Sequence, residues 1–372
     1  MSSVRLVDVV KRFATITAIN RLSVEIPEGE YVCVLGPTGS GKTTLLKLIA
    51  GLTIPDEGEI YIGDRPAIGV PAEERGAVYV PQQYALFPHL TILQNVAFGP
   101  LSHGVNEEEA LHMAREMLEM MKLDHRADSR PDELSGGMQQ RVALARGLAT
   151  KARLLLLDEP LGSLDARLRV ELRDKLRRLA KDSGVTAIHV THDQAEATAI
   201  GDRIIVLRDG RIRQYATPFH VYMRPQSLFV AHFVGGANFL QAVVAERHPE
   251  GSALELHGGL RVKVSDSTYL PGEEVVLVIR EENVGIAESN EQMERTLYNM
   301  VEGEIQSSRF LGGFVSNQMR LTNGDPLSSK TPSIVREKPF PHGKKVVACF
   351  KPSDTMVYSY PPIGLPRELK VM

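Results

Sequence analysis

Apolar and polar positions alternate through residues 4–30. The stretches "VRLVDVV" and "LSVEI" have the period of strands and end at the turn Pro27-Glu28-Gly29. Tyr31 to Leu35 is apolar throughout, as a short strand buried on both faces would be. Thr44 to Ala50 then offers Leu45, Leu46, Leu48 and Ile49 for helix packing. Residues 56–80 hold short strands divided by the turn signals Asp56-Glu57-Gly58 and Gly63-Asp64. From Asn106 to Leu123 the period becomes helical. Asn106 suits an N-cap, Glu107, Glu108 and Glu109 suit the first turn, and Leu111, Ala114, Leu118 and Met121 form one apolar face. Met113, Met117, Met120 and Met121 read as core filler on that helix. Leu154–Leu157 and Val185–Val190 read as two more buried strands. After about residue 239 the pattern turns to short strands with frequent glycine turns. There "EEVVLVIREENVGIA" (273–287) is echoed by "KKVVACFKPSDTMVYS" (344–359), so two similar halves are expected to pair into a small β-barrel.

Between the strand ending at Leu35 and the helix after it stands Gly36-Pro37-Thr38-Gly39-Ser40-Gly41-Lys42-Thr43-Thr44. The spacing Gly-x4-Gly-Lys-Thr is that of a phosphate-binding P-loop. Glycines let successive N–H groups curl toward one anion, and the helix adds its positive N-terminal end. Lys42 can reach the β- and γ-phosphates and the Thr43 hydroxyl can ligate Mg²⁺. All nine residues from Gly36 to Thr44 are candidate nucleotide contacts, and ATP with Mg²⁺ is the expected cofactor pair.

Composition narrows the class. The 372 residues suggest two or three domains, and a net charge of −3 with interspersed charges gives no basic field for nucleic acid. Cys33 and Cys349 form no disulfide framework, and Cys33 reads as a small buried apolar residue. No apolar run of about 18 residues and no signal-peptide core occurs. A cytoplasmic protein is expected.

Further along, "LLLLDE" is a buried strand ending in two acids, the Walker B form. Asp158 can hold Mg²⁺ and Glu159 can act on a water. The strand Val185–Val190 ends similarly at Thr191 and His192, where ligands bind in open α/β sheets. Leu134-Ser135-Gly136-Gly137-Met138 is a glycine-rich loop feeding a helix, a second anion cradle.

In this order the motifs resemble the ATP-binding cassette family: P-loop 36–43, glutamine loop "VPQQYALFPHLT" at 80–91, signature 134–138, Walker B 154–159, D-loop 161–166 and His192. The resemblance spans about 1–235. It departs at Met138, where Gln is commoner, and at Gly162-Ser163-Leu164-Asp165, where Ser-Asn-Leu-Asp is usual. It implies an α/β P-loop NTPase cassette with a RecA-like core and a helical subdomain near 88–152. An all-β OB-like domain of the TOBE type would follow over 236–372, with Arg280-Glu281-Glu282 where Arg-Pro-Glu is common. That domain is expected to regulate or to support dimerisation.

The resemblance also assigns roles. Two chains would sandwich ATP, each P-loop facing the partner's Ser135, Gly136 and Gly137. Glu159 would orient or deprotonate the water, His192 would hold the γ-phosphate side, and Gln82 would sense Mg²⁺ and the water. Thr43, Gln82 and Asp158 form the expected metal set. Phe13 would stack on adenine, and Asp165 would couple the two sites of a homodimer or paralogue heterodimer.

Three kinds of cassette ATPase compete. Chromosome and DNA-repair ATPases insert a long coiled coil between Walker A and B, whereas here roughly 115 residues separate them without sustained heptads. Translation factors carry two cassettes per chain, and this chain has one. Exporters usually fuse a membrane domain, absent here. The expected function is therefore an importer's ATP-hydrolysing subunit, peripheral at the cytoplasmic face of the membrane. It would work with transmembrane permease subunits, and indirectly with a solute-binding protein that selects a sugar, polyamine, iron or oxyanion. The apolar loop Tyr84, Leu86, Phe87, Pro88 and His89 is the expected permease contact.

Overall fold

The computed structural model describes residues 2–287, 297–336 and 338–370. The chain divides into two compact units, Met1–Gln226 and Ser227–Val371, upstream of the 235/236 boundary expected from the sequence. The local reason is the short helix Leu228–Phe233. Its Leu228 and Ala231 pack on Val276 and Val278 of the second unit. The buried Arg280 guanidinium donates to the carbonyls of Ala231 and Gly235, at 2.7 and 3.2 Å.

The first unit is built on a six-stranded sheet in the order Arg211–Ala216, Arg203–Arg208, Tyr31–Leu35, Thr186–Val190, Leu154–Asp158, Ala77–Val80. All neighbours are parallel except the antiparallel edge strand Arg211–Ala216. Every residue of Tyr31–Leu35, Leu154–Asp158 and Thr186–Val190 is buried. Helices and a second sheet cover both faces, which explains why these strands read as continuous apolar runs. Because they run parallel, their C-terminal ends share one edge of the sheet, and Gly36, Gln82, Glu159 and His192 all follow such ends.

Helix Lys42–Ala50 lies between this sheet and a four-stranded antiparallel sheet, ordered Ile16–Ile26, Val4–Phe13, Glu57–Ile62, Arg65–Pro66. Its Leu45, Leu46, Leu48 and Ile49 are fully buried in one core with Val32, Val34, Leu154 and Ile188 from one side and Leu6, Ile19 and Leu22 from the other. Burial of each such side chain is worth about 1.5–3 kcal/mol, so the helix that begins at the P-loop is a fixed platform.

Helices Ile92–Ser102, Glu107–Met120 and Gly136–Ala149 pack on one another in the region expected to be helical. The Asn106 side chain accepts from the Glu109 amide at 2.9 Å, as an N-cap should. The buried stripe of that helix is Ala110, Met113, Ala114 and Leu118, continued by Met121; Leu111 sits at its margin, half-buried.

The second unit contains two five-stranded antiparallel sheets. Their orders are Arg261–Val264, Gly251–Leu256, Ala237–His248, Glu274–Arg280, Thr355–Ser359 and Gly285–Ala287, Lys345–Phe350, Asn299–Phe310, Phe314–Leu321, Pro326–Pro332. The echoed segments each form a strand, a 3₁₀ turn and a second strand. They pair reciprocally: Glu274–Arg280 takes Thr355–Ser359, and Lys345–Phe350 takes Gly285–Ala287. One core closes both sheets, with Leu254, Val275, Leu277, Ile305, Ala348 and Phe350 among its members. The unit is β-rich rather than all-β as expected, since it also carries the short helices Leu228–Phe233 and Leu365–Glu368, and its sheets are consistent with an OB-type domain. Among the described residues no helix is long and apolar enough to cross a membrane.

Candidate active site

The P-loop owes its path to two close approaches. A Cβ at Gly36 would lie 2.3 Å from the Leu207 carbonyl oxygen and one at Gly41 2.4 Å from that of Ala18, so neither position admits a side chain without backbone movement. Gly41, at φ 105°, is the N-cap of helix Lys42–Ala50 and makes no side-chain cap. The first amides of that helix have no partner within it and supply donors to an anion. Lys42 folds back over the loop, its Nζ donating to the carbonyls of Gly36 and Pro37 at 2.9 and 2.8 Å. Burial pulls its ammonium below the ordinary lysine range, opposed by the charges of Glu159 and Asp158. The Ser40 hydroxyl is buried with no hydrogen-bond partner among the described residues. Curled backbone, an inward lysine and an unsatisfied buried hydroxyl together fit a polyphosphate.

Asp158 ends its strand almost fully buried, with both carboxylate oxygens engaged. Thr43 Oγ1 donates to Oδ1 at 3.1 Å, and Tyr79 OH donates to Oδ2 at 3.0 Å. Burial, reinforced by the Asp158 charge, raises the Tyr79 phenol well above its ordinary value and keeps it a donor. A carboxylate beside a threonine hydroxyl is a hard-oxygen pair that fits Mg²⁺, an ion that takes few protein ligands and completes its shell with phosphate and water.

Glu159 is held by its backbone and its carboxylate alike. It sits at φ 50°, a left-handed conformation costing a non-glycine residue about 1–3 kcal/mol. Its N–H donates to the Val190 carbonyl at 2.9 Å and its carbonyl accepts from Gln140 Nε2 at 2.8 Å. Gln82 Nε2 donates to Oε2 at 2.9 Å, and His192 Nε2 lies 2.6 Å from Oε1. The three residues read from the sequence as catalytic are thus one connected group. Glu159 stands next to Asp158, which reaches the P-loop through Thr43.

The signature lies apart from this group. Ser135 is the N-cap of helix Gly136–Ala149 but makes no side-chain cap, and it is exposed together with Gly136. Among the described residues no hydrogen bond joins it to the P-loop of its own chain. Instead its helix reaches the D-loop. Gln140 Oε1 accepts from the Ser163 amide at 2.9 Å, Tyr84 OH lies 3.1 Å from Ser163 Oγ, and a Cβ at Gly137 would press within 3.1 Å of the Ser163 carbonyl oxygen. Asp165 caps the following helix, accepting from the Leu168 amide at 2.9 Å. Phe13 ends its strand 49% exposed, leaving an aromatic face available for stacking.

Two participants, Tyr79 and Gln140, are not singled out by sequence reading. Tyr79 lies inside an ordinary strand. Gln140 had a weak signal, a polar residue heading the buried stripe Ala143, Leu144 and Gly147 at helical spacing.

Comparison with known proteins adds to this geometry. A family model described as ABC transporter matches residues 19–162. The chain is 41% identical over 328 residues to the spermidine/putrescine import ATP-binding protein PotA of Rubrobacter xylanophilus, covering 87% of this chain and 85% of that protein. It is 46% identical over 254 residues to the trehalose/maltose import ATP-binding protein MalK of Thermococcus litoralis, covering 66% and 68%. Among solved structures, a dimeric ATP-binding cassette in a post-hydrolysis state, bound to ADP and Pi, aligns with TM-score 0.54 at 36% identity, covering 58% of this chain and 98% of that one.

Proposed function

This chain belongs to the ATP-binding cassette family, among its import ATP-binding subunits, and we propose that two copies hydrolyse ATP at shared sites and drive solute uptake through a separate membrane permease. The observation that carries the reading is the Glu159 carboxylate, with one oxygen on Gln82 and the other on His192, beside an Asp158 tied to the P-loop.

Phosphoryl transfer to water needs charge stabilisation and a placed nucleophile more than covalent help. The P-loop amides and Lys42 bind the phosphates, and Glu159 orients the water and accepts its proton. His192 and Gln82 fix the Glu159 carboxylate, and with nucleotide bound His192 would hold the γ-phosphate side while Gln82 would sense Mg²⁺ and the water. Thr43 and Asp158, with Gln82 nearby, would hold Mg²⁺, which neutralises phosphate charge when bound. The Ser135–Gly137 segment, exposed at Ser135 and Gly136, supplies the second cradle, to the other copy's nucleotide. A related cassette has been solved as a dimer, which supports this pairing.

The permease would dock at the glutamine loop. Phe87 and Phe98 pack with ring centroids 4.5 Å apart and planes tilted by 48°, the Arg146 guanidinium lies 5.3 Å from the Phe87 centroid, and Phe98 is 44% exposed. They border a hollow of about 260 Å³ that also includes Ala85 and Thr150. Bound there, the subunit sits peripherally on the membrane's cytoplasmic side. Its relatives are named for polyamines and for disaccharides, which supports a solute choice made by partner proteins.

Glu159→Gln tests the reading. The amide keeps the shape and loses the base, so ATP binding should persist, turnover should fall at least about a hundredfold, and an ATP-bound dimer should accumulate in gel filtration. Near-normal hydrolysis would remove Glu159 from the catalytic role.

A further inference from the structure

His192 stands on a segment whose two flanking residues are both fixed. Thr191 donates through Oγ1 to Glu196 Oε2 at 2.7 Å and accepts from the Asp193 amide at 3.0 Å. Asp193 Oδ1 accepts from the Glu196 amide at 3.0 Å. Glu196 is itself anchored in the core: Oε1 lies 3.2 Å from Nε2 of the fully buried His189, whose Nδ1 lies 2.9 Å from Tyr31 OH. Burial would raise the Glu196 carboxyl, but contacts from His189 and Thr191 outweigh it and hold the group below its ordinary value, as an acceptor.

The free corner of this frame, the second Asp193 oxygen, is taken by Arg169. On helix Ala166–Asp182, Arg169 places Nη1 3.3 Å from Asp193 Oδ2 and donates through Nη2 to the Leu164 carbonyl at 2.9 Å. Leu164 belongs to the D-loop, whose preceding residue Ser163 is held by Gln140. One side chain therefore grips the D-loop and the residue after His192 at once. A guanidinium can do this because its N–H groups are spread in a rigid plane; an ammonium is a single point of charge.

We propose that Arg169 is a positioning residue that clamps the D-loop to the His192 segment, so that displacement of Leu164 is transmitted to the His192–Glu159 contact. The proposal rests on the reading of this site as an ATP hydrolase. A plain surface ion pair is the simpler account. The Arg169 and Asp193 side chains are 32% and 36% exposed, and such pairs contribute little to stability. The two accounts differ in what they predict for turnover.

The test uses the full chain in steady-state ATP hydrolysis, with thermal melting alongside. Arg169→Ala should lower kcat roughly 10- to 100-fold, as a misplaced catalytic group does, with KM for ATP within about twofold. Arg169→Lys should recover only part of that loss. Asp193→Asn, which keeps the helix cap, should reproduce the kcat fall, and the double variant should be no worse than either single one. If Arg169→Ala does not fold, Asp193→Asn with Arg169→Lys carries the same test. A kcat within about twofold of wild type, or losses that simply multiply in the double variant, would overturn the clamp and leave the hydrolase reading standing. A wild-type chain that does not hydrolyse ATP would overturn both.

Discussion

At the scale of single residues, side chains that meet around Asp158 and Glu159 come from distant parts of the sequence, and they were unequally visible in it. Lys42, Thr43, Asp158 and Glu159 announce themselves because their spacing is set by local geometry, a loop between strand and helix or the end of an apolar run. Tyr79 has no such local constraint. It became visible only when strands Ala77–Val80 and Leu154–Asp158 paired side by side. Its bond to Asp158 Oδ2 nevertheless orients a carboxylate expected to meet Mg²⁺. Loss of an outer partner of this kind costs about 10- to 100-fold in metal affinity. Tyr79→Phe should therefore raise the Mg²⁺ concentration for half-maximal hydrolysis about tenfold, with metal-free nucleotide binding unchanged. An unaltered Mg²⁺ requirement would show that Thr43 alone orients Asp158.

At the scale of elements, the strands Tyr31–Leu35, Leu154–Asp158 and Thr186–Val190 were legible because they are buried along their whole length, and the helix after the P-loop because its Leu45, Leu46, Leu48 and Ile49 are buried at helical spacing. The glutamine loop was not legible in detail. The sequence marks the apolar loop Tyr84 to His89 as a contact surface without fixing which of its side chains are presented. The fold places Pro88 and His89 outward, with Phe87 half-buried against Phe98. The backbone there is tightly held: the Asn95 side chain bonds the Phe87 amide and carbonyl at 2.8 and 3.1 Å, and Arg146 donates to the Ala85 carbonyl at 2.9 Å. A rigid, half-apolar ledge suits a partner helix. Phe87→Ala should leave ATPase activity of the isolated subunit within about twofold and weaken copurification with the permease. If assembly and solute-stimulated hydrolysis are both normal in the variant, this ledge is not the docking surface.

At the scale of the whole molecule, the division into a cassette and a β-rich unit was legible from the change in period. Its position was not, because the helix Leu228–Phe233 continues the local pattern of the cassette while packing on Val276 and Val278. A truncation meant to spare the cassette should therefore end at Gln226. That fragment should melt cooperatively and bind ATP normally. If the β-units hold nucleotide-free copies together by raising their effective concentration, its dimer should also be weaker without ATP. Equal dimerisation of the truncated and full chains without ATP would deny the β-unit that role.

The central claim is that hydrolysis needs two chains, since Ser135 and Gly136 are exposed and the Ser135–Gly137 segment makes no hydrogen bond to its own P-loop among the described residues. The most direct measurement mixes Lys42→Ala chains, which lack the phosphate lysine, with Ser135→Arg chains, which lack the second cradle. Each homodimer should be inactive. A mixed dimer pairs the P-loop of the Ser135 variant with the signature of the Lys42 variant, which leaves one intact site. The mixture should thus recover hydrolysis, to at most about a quarter of the wild-type rate at equal proportions of freely exchanging chains with independent sites. No recovery on mixing, together with wild-type hydrolysis per chain that does not change on dilution, would contradict the shared site.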